Sequence, residues 1–162
     1  MTNVNQRNET TITTPSDTEI RIERIVDAPR ELVWEAYTDP ELIAQWLGPR
    51  DLTMTDVQMD VRPGGAWRFT HSRGDETFSF FGVYRVLEPP SVLEWTFNFE
   101  GFPRGSVDRT EFEELDGGRT RIVTLSTFES KEDRDGMLNS GMDRGVREGY
   151  ERLDELLAAR QS

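Results

Sequence analysis

Between residues 51 and 128 the chain alternates short apolar-periodic runs with turn residues, and this pattern restricts the fold more than any other feature. Candidate strands cover about 51 to 61, 65 to 72, 77 to 88, 91 to 100, 106 to 115 and 119 to 128. Pro63-Gly64-Gly65, Gly74-Asp75, Pro89-Pro90 and Asp116-Gly117-Gly118 separate them. Connections this short join neighbouring antiparallel strands, so the segment predicts a meander with one face in need of cover. The long apolar stripe that can supply the cover lies at about 131 to 160. There Leu138, Met142, Val146, Leu153, Leu156 and Leu157 share one helical face, with Asp143, Arg144, Arg147, Glu148, Glu151 and Asp154 opposite. The expected architecture is α+β: a curved antiparallel sheet of about six or seven strands wrapped around a long C-terminal helix.

That helix contains Gly141, Gly145 and Gly149 at intervals of four. Each interior glycine costs roughly 1 kcal/mol against alanine, so this series asks for close backbone approach or for empty space. A helix that is bulky at its end and bare at its start can roof a cavity, and a cavity there is the expectation.

Upstream, residues 1–16 are rich in Thr, Asn, Gln and Glu and read as a disordered tail, followed by a single domain over 17–160. A strand is expected over 18 to 28. Asp27 and Pro29 then open a helix carrying Leu32, Val33, Ala36 and Tyr37. A second short helix from Asp39-Pro40 carries Leu42, Ile43, Trp46 and Leu47 before Gly48-Pro49 stops it.

Composition removes several classes of function. There is no cysteine, hence no disulfide, thiolate nucleophile or zinc-thiolate site, and a single histidine, His71, rules out a histidine metal cluster. No metal and no cofactor is expected. The net charge of −12, without a basic patch, argues against nucleic acid and anionic membranes as partners. No apolar run is long enough to span a bilayer and no leader pattern is present, so a cytoplasmic location is expected, as a monomer or weak homodimer. Asp133, Asp135 and Gly136 match part of a calcium loop, but Lys131 and Met142 occupy its first and last ligand positions.

Aromatic residues carry the positive signal. Trp67, Phe69, Phe78, Phe80, Tyr84, Trp95, Phe97 and Phe99 recur at period two on adjacent strands, which makes one sheet face aromatic. Set against the bare start of the final helix, that face outlines an apolar ligand site. The candidate ligand-binding residues are Trp46, Trp67, Phe69, Phe80, Tyr84, Trp95, Met142 and Gly145, with His71, Thr124 and Ser126 as polar contacts. Catalytic residues are not assigned; His71 and Tyr84 are the acid–base groups available in such a cavity.

The series Val26-Asp27-Ala28-Pro29, then Trp46-Leu47-Gly48-Pro49, Pro63-Gly64-Gly65-Ala66-Trp67, Phe81-Gly82-Val83-Tyr84, Leu93-Glu94-Trp95 and Gly117-Gly118-Arg119-Thr120 resembles the START-like (SRPBCC) superfamily. Within it, the match is to the group named after the heat-shock-protein ATPase activator's C-terminal domain. The likeness runs from about 18 to 159. It implies a helix-grip fold around a hydrophobic cavity, and binding of a lipid, sterol, polyketide or aromatic metabolite. Two other functions are implied as alternatives: a cyclase, dehydratase or hydrolase using the same cavity, and a co-chaperone-like modulator of another protein.

Overall fold

The computed structural model describes residues 9–162, so the first eight residues of the expected tail lie outside the described residues. Eight antiparallel strands form one sheet: β1 (Thr11–Thr13), β2 (Glu19–Val26), β3 (Thr53–Met59), β4 (Ala66–Arg73), β5 (Glu76–Glu88), β6 (Val92–Phe99), β7 (Ser106–Leu115) and β8 (Arg119–Thr127). Their spatial order is β1-β2-β8-β7-β6-β5-β4-β3. The meander from β3 to β8 is the one expected from the turn residues, and β2 closes back on β8 with Ile20 opposite Ser126 and Ile22 opposite Thr124.

The helices are α1 (Arg30–Thr38), α2 (Pro40–Ile43), α3 (Lys131–Leu138) and α4 (Met142–Arg160). Asp39 caps α2 by accepting from the Glu41 amide at 2.9 Å, and Ser130 caps α3 by accepting from the Asp133 amide at 3.1 Å. On the concave side of the sheet Leu153 and Leu157 of α4 join a core containing Ile20, Val26, Leu93 and Ile122. Val33, Ala36 and Ile43 of α1 and α2, all fully buried, belong to the same core. This is the helix-grip arrangement.

Two expectations need correction. The final helix is not continuous from 131 to 160: α3 ends at Leu138, and Gly141, at φ +85°, starts α4 from a left-handed backbone that other residues resist. Nor is the described part of the 1–16 segment a loose tail. Thr11–Thr13 pairs with Arg21–Glu23 of β2 as an edge strand. The Thr10 hydroxyl accepts from the buried Arg24 guanidinium at 2.9 Å, the Thr10 carbonyl from Arg147 at 2.5 Å, and the Ser16 carbonyl from Arg134 at 2.5 Å. Three arginines distant in sequence therefore hold a polar segment that has little apolar surface of its own to bury.

Candidate functional site

The concave face has two halves of different chemistry. Across β4, β5 and β6 it is aromatic. Trp67 stands opposite Gly82, Phe69 opposite Phe80, and Tyr84 opposite Trp95. A Cβ on Gly82 would come within 1.9 Å of the Thr96 carbonyl, so only glycine fits, and the missing side chain lets Trp67 reach over β5. Its ring centroid is 4.7 Å from Trp95, 5.2 Å from Phe97 and 4.6 Å from Phe69. Phe80 extends the wall towards Phe97 and Phe99, and is half-buried with Phe97. Met54, Met137, Leu138, Met142 and Val146 pack against the buried core, each half-buried.

Three buried polar atoms in this wall have no hydrogen-bond partner: Trp67 Nε1, Tyr84 Oη and His71 Nδ1. Their residues are at most 3% exposed. His71 Nε2 lies 2.9 Å from the Leu47 carbonyl, which can only accept, so Nε2 carries the proton and Nδ1 is a bare acceptor. Burial drives this imidazole below its ordinary value, opposed by the Leu47 bond and helped by nearby Arg152, so the ring is neutral. Burial, and secondarily Asp60, pushes the Tyr84 phenol above its ordinary value, so it keeps its proton.

Across β7 and β8 the same face is lined with hydroxyls. Ser106, Asp108, Thr110 and Phe112 of β7 point inward beside Thr120, Ile122, Thr124 and Ser126 of β8. Thr110 and Thr124 share a hydrogen bond of 2.8 Å, and Tyr37 and Tyr150 one of 3.2 Å. Ser106 donates to Asp108 at 2.7 Å and the neighbouring Ser126 hydroxyl also favours the carboxylate, yet burial outweighs both and pushes the Asp108 carboxyl up to about 6. Arg24 also points inward, its guanidinium paired with Asp154 of α4.

The candidate residues are thus dispersed into distinct settings. Trp67, Phe69, His71, Phe80, Tyr84 and Trp95 form the aromatic wall, and Thr124 and Ser126 belong to the hydroxyl half. Trp46 sits apart: its indole donates to the Ala36 carbonyl at 2.9 Å, and its ring meets Tyr37 and Tyr150. Met142 lies at the start of α4 against the core. Gly145 and Gly149 do not roof a hollow. Gly145 faces Pro49, 3.5 Å from the Cβ it lacks, and a Cβ on Gly149 would stand 3.1 Å from the Trp46 carbonyl and 3.2 Å from the Gly48 amide. They let α4 lie on the Trp46–Pro49 loop, whose Gly48, at φ +114°, leaves room for the His71 ring, since a Cβ there would stand 2.9 Å from His71 Nε2.

Asp108 is the residue that sequence reading passed over. Its signal was parity, since it falls in phase with Thr110 and Phe112 rather than with Glu111 and Glu113 on the outer face. Two surface hollows lie away from the wall. One of about 330 Å³ on the convex face is floored by Val123 and Leu125, and one of about 220 Å³ lies by Asp154 and Leu157. Among the described residues no cluster of metal-ligating side chains occurs, and no helix is long and apolar enough to cross a membrane.

Residues 27–158 match the model of the family described as Activator of Hsp90 ATPase homolog 1-like protein. No curated protein matches the chain. Among solved structures, a protein from Rhodobacter sphaeroides is similar, with a TM-score of 0.85 at 27% identity over 92% of this chain and 98% of that one. A protein from Mycobacterium smegmatis has a TM-score of 0.81 at 26% identity, over 92% and 97%. An AHSA1-like protein from Aeromonas hydrophila shares the fold, with a TM-score of 0.68 at 23% identity, over 89% and 95%.

Proposed function

The chain belongs to the Activator of Hsp90 ATPase homolog 1-like family, and on that footing we propose that it binds a small, mostly apolar molecule between the aromatic wall and the start of α4. The observation that carries this reading is the set of three orphaned polar atoms, Trp67 Nε1, Tyr84 Oη and His71 Nδ1, embedded in an otherwise apolar surface. Each unsatisfied buried group costs about 1–3 kcal/mol, and a ligand with one or two polar atoms removes part of that cost. Together they offer a donor, an acceptor and a group that does both. The wall rings fill the space against one another, so the ligand enters by moving the half-buried rim, Phe80, Phe97 and Met142, rather than by dropping into an open pocket.

The test is an NMR titration with fatty acids, sterols, flavonoids and aromatic polyketides, read at the indole N–H signals. The Trp67 indole gains a hydrogen-bond partner and shifts, whereas the Trp46 indole, already bonded to Ala36, serves as the internal control. If no compound moves Trp67 more than Trp46, the wall is core and nothing else. An enzymatic reading rests on one further observation, that His71 is neutral with a bare acceptor nitrogen, which suits a general base. Any turnover found with a bound compound should then collapse in His71→Ala.

A further inference from the structure

We propose that Asp108 makes the ligand site at the aromatic wall selective for amphipathic amines: its carboxylate receives the ligand's ammonium group while the apolar remainder lies along the ring wall of β6. This deepens the ligand-binding reading and rests on it. The register places Tyr84, Trp95, Asp108 and Ser126 in one row across β5, β6, β7 and β8. Asp108 is therefore the next residue to Trp95 on the concave face, and its backbone lies roughly 10 Å from that of Tyr84, two strand spacings away. It stands where the aromatic half of the face meets the hydroxyl half.

Asp108 differs from the other inward charges in lacking a counter-ion. Arg24 is matched by Asp154. Among the described residues no lysine or arginine pairs with Asp108, whose carboxylate accepts from the Ser106 hydroxyl and faces Ser126 across the strand pair. Asp108 is half-buried, hydroxyl donors do not neutralise a carboxylate, and loss of solvent around it outweighs them and raises its pKa. The nearest ionisable neighbours do not supply the missing charge. Tyr150 of α4, bonded to Tyr37 of α1, is itself raised by burial, and the guanidinium of Arg24 is committed to Asp154 and Thr10. An organic cation answers both halves of the site at once, through an ion pair with Asp108 and through attraction to the faces of adjacent rings. A carboxylate-bearing ligand meets repulsion instead, from Asp108 and from a chain of net charge −12.

The experiment compares 2-phenylethylamine with 2-phenylethanol, and octylamine with 1-octanol, at pH 7.5 on the full chain. The amines should bind about tenfold or more tightly than the alcohols, the difference expected for a charge-assisted hydrogen bond, and Asp108→Asn should erase that difference. A second readout needs no variant: carboxyl carbon NMR should show the Asp108 midpoint falling when the amine is bound. Equal affinities of amine and alcohol, both shifting the Trp67 and Trp95 indoles, would overturn the amine assignment and leave the ligand-binding reading standing. If neither probe reaches the indoles and the Asp108 midpoint stays put, the amine assignment falls, and the ligand-binding reading falls with it if the titration panel also leaves Trp67 unmoved. Amine shifts confined to exterior carboxylates such as Glu151 and Glu155 count against the assignment in the same way.

Discussion

Gly145 and Gly149 occupy equivalent turns of α4 but meet different surroundings, and that difference sets the sign of a methyl substitution. A Cβ at Gly145 makes ordinary contact with Pro49 at 3.5 Å. Gly145→Ala should therefore gain most of the helix propensity difference, about 1 kcal/mol, and raise the melting temperature by roughly 2–4 °C. At Gly149 the same methyl meets backbone at 3.1 and 3.2 Å, so Gly149→Ala should gain nothing or lose stability. Thermal unfolding followed by circular dichroism separates the two; equal gains would mean that the Trp46–Pro49 loop yields freely. Asp108 offers a residue-scale prediction with a pH signature. Its carboxyl titrates at about 6 in the fold against 3.8 as its ordinary value, so the folded state holds the proton more tightly. Stability from this group is present below pH 4 and lost as pH rises through 6. A displacement of about two units is worth about 3 kcal/mol, which partial exposure reduces to about 2. Asp108→Asn should thus gain about 2 kcal/mol on wild type between pH 4 and pH 7.5, measured by urea unfolding at both. A pH-independent difference would show that this carboxyl titrates normally.

At the scale of elements, the strands were legible because Pro, Gly and Asp pairs punctuate them and because apolar residues alternate between the punctuation marks. Two features were not legible, for opposite reasons. The break between α3 and α4 is a single backbone conformation at Gly141, which a spacing of four between glycines disguises as one continuous face. The edge strand β1 has no apolar signature of its own, and its anchors, Arg24, Arg134 and Arg147, are invisible as partners until the chain is folded. Those anchors make β1 more than a fringe. Thr10→Ala removes the hydroxyl that accepts from the buried Arg24 and leaves an N–H of a charged group without a protein partner. A loss of about 1–3 kcal/mol in urea unfolding follows. Thr13→Ala, on an exposed strand position, serves as the comparison and should cost less than about 0.5 kcal/mol. Equal small effects would mean that water replaces the Thr10 hydroxyl without penalty.

For the whole molecule, the aromatic half of the candidate site was readable from period-two spacing on three neighbouring strands. The hydroxyl half was not legible, because β7 carries acidic residues on both faces and only its pairing with β6 and β8 shows that Asp108 turns inward while Glu111 and Glu113 turn out. Trp46 and Gly145 were misplaced for a topological reason: the loop after α2 folds under α4, so residues that look like a cavity's lid are its packing. The global charge yields a last prediction. The surface carries many arginine–carboxylate pairs, among them Arg73 and Arg144 on Asp51, Arg50 on Glu155, Arg109 on Glu94 and Glu111, and Arg104 on Asp133. Exposed pairs contribute about 0–1 kcal/mol each and weaken with salt. Yet 31 acidic residues face 19 basic ones, so even complete pairing leaves 12 carboxylates repelling one another across the molecule. That repulsion acts over longer distances than the pairs do, and shortening the screening length from about 10 Å at 0.1 M salt to a few ångströms near 1 M removes it first. Sodium chloride should therefore raise the melting temperature between 0.05 and 0.5 M, most steeply at the low end. A melting temperature that falls over this range would place the balance with the short-range arginine pairs rather than with the uncompensated carboxylates.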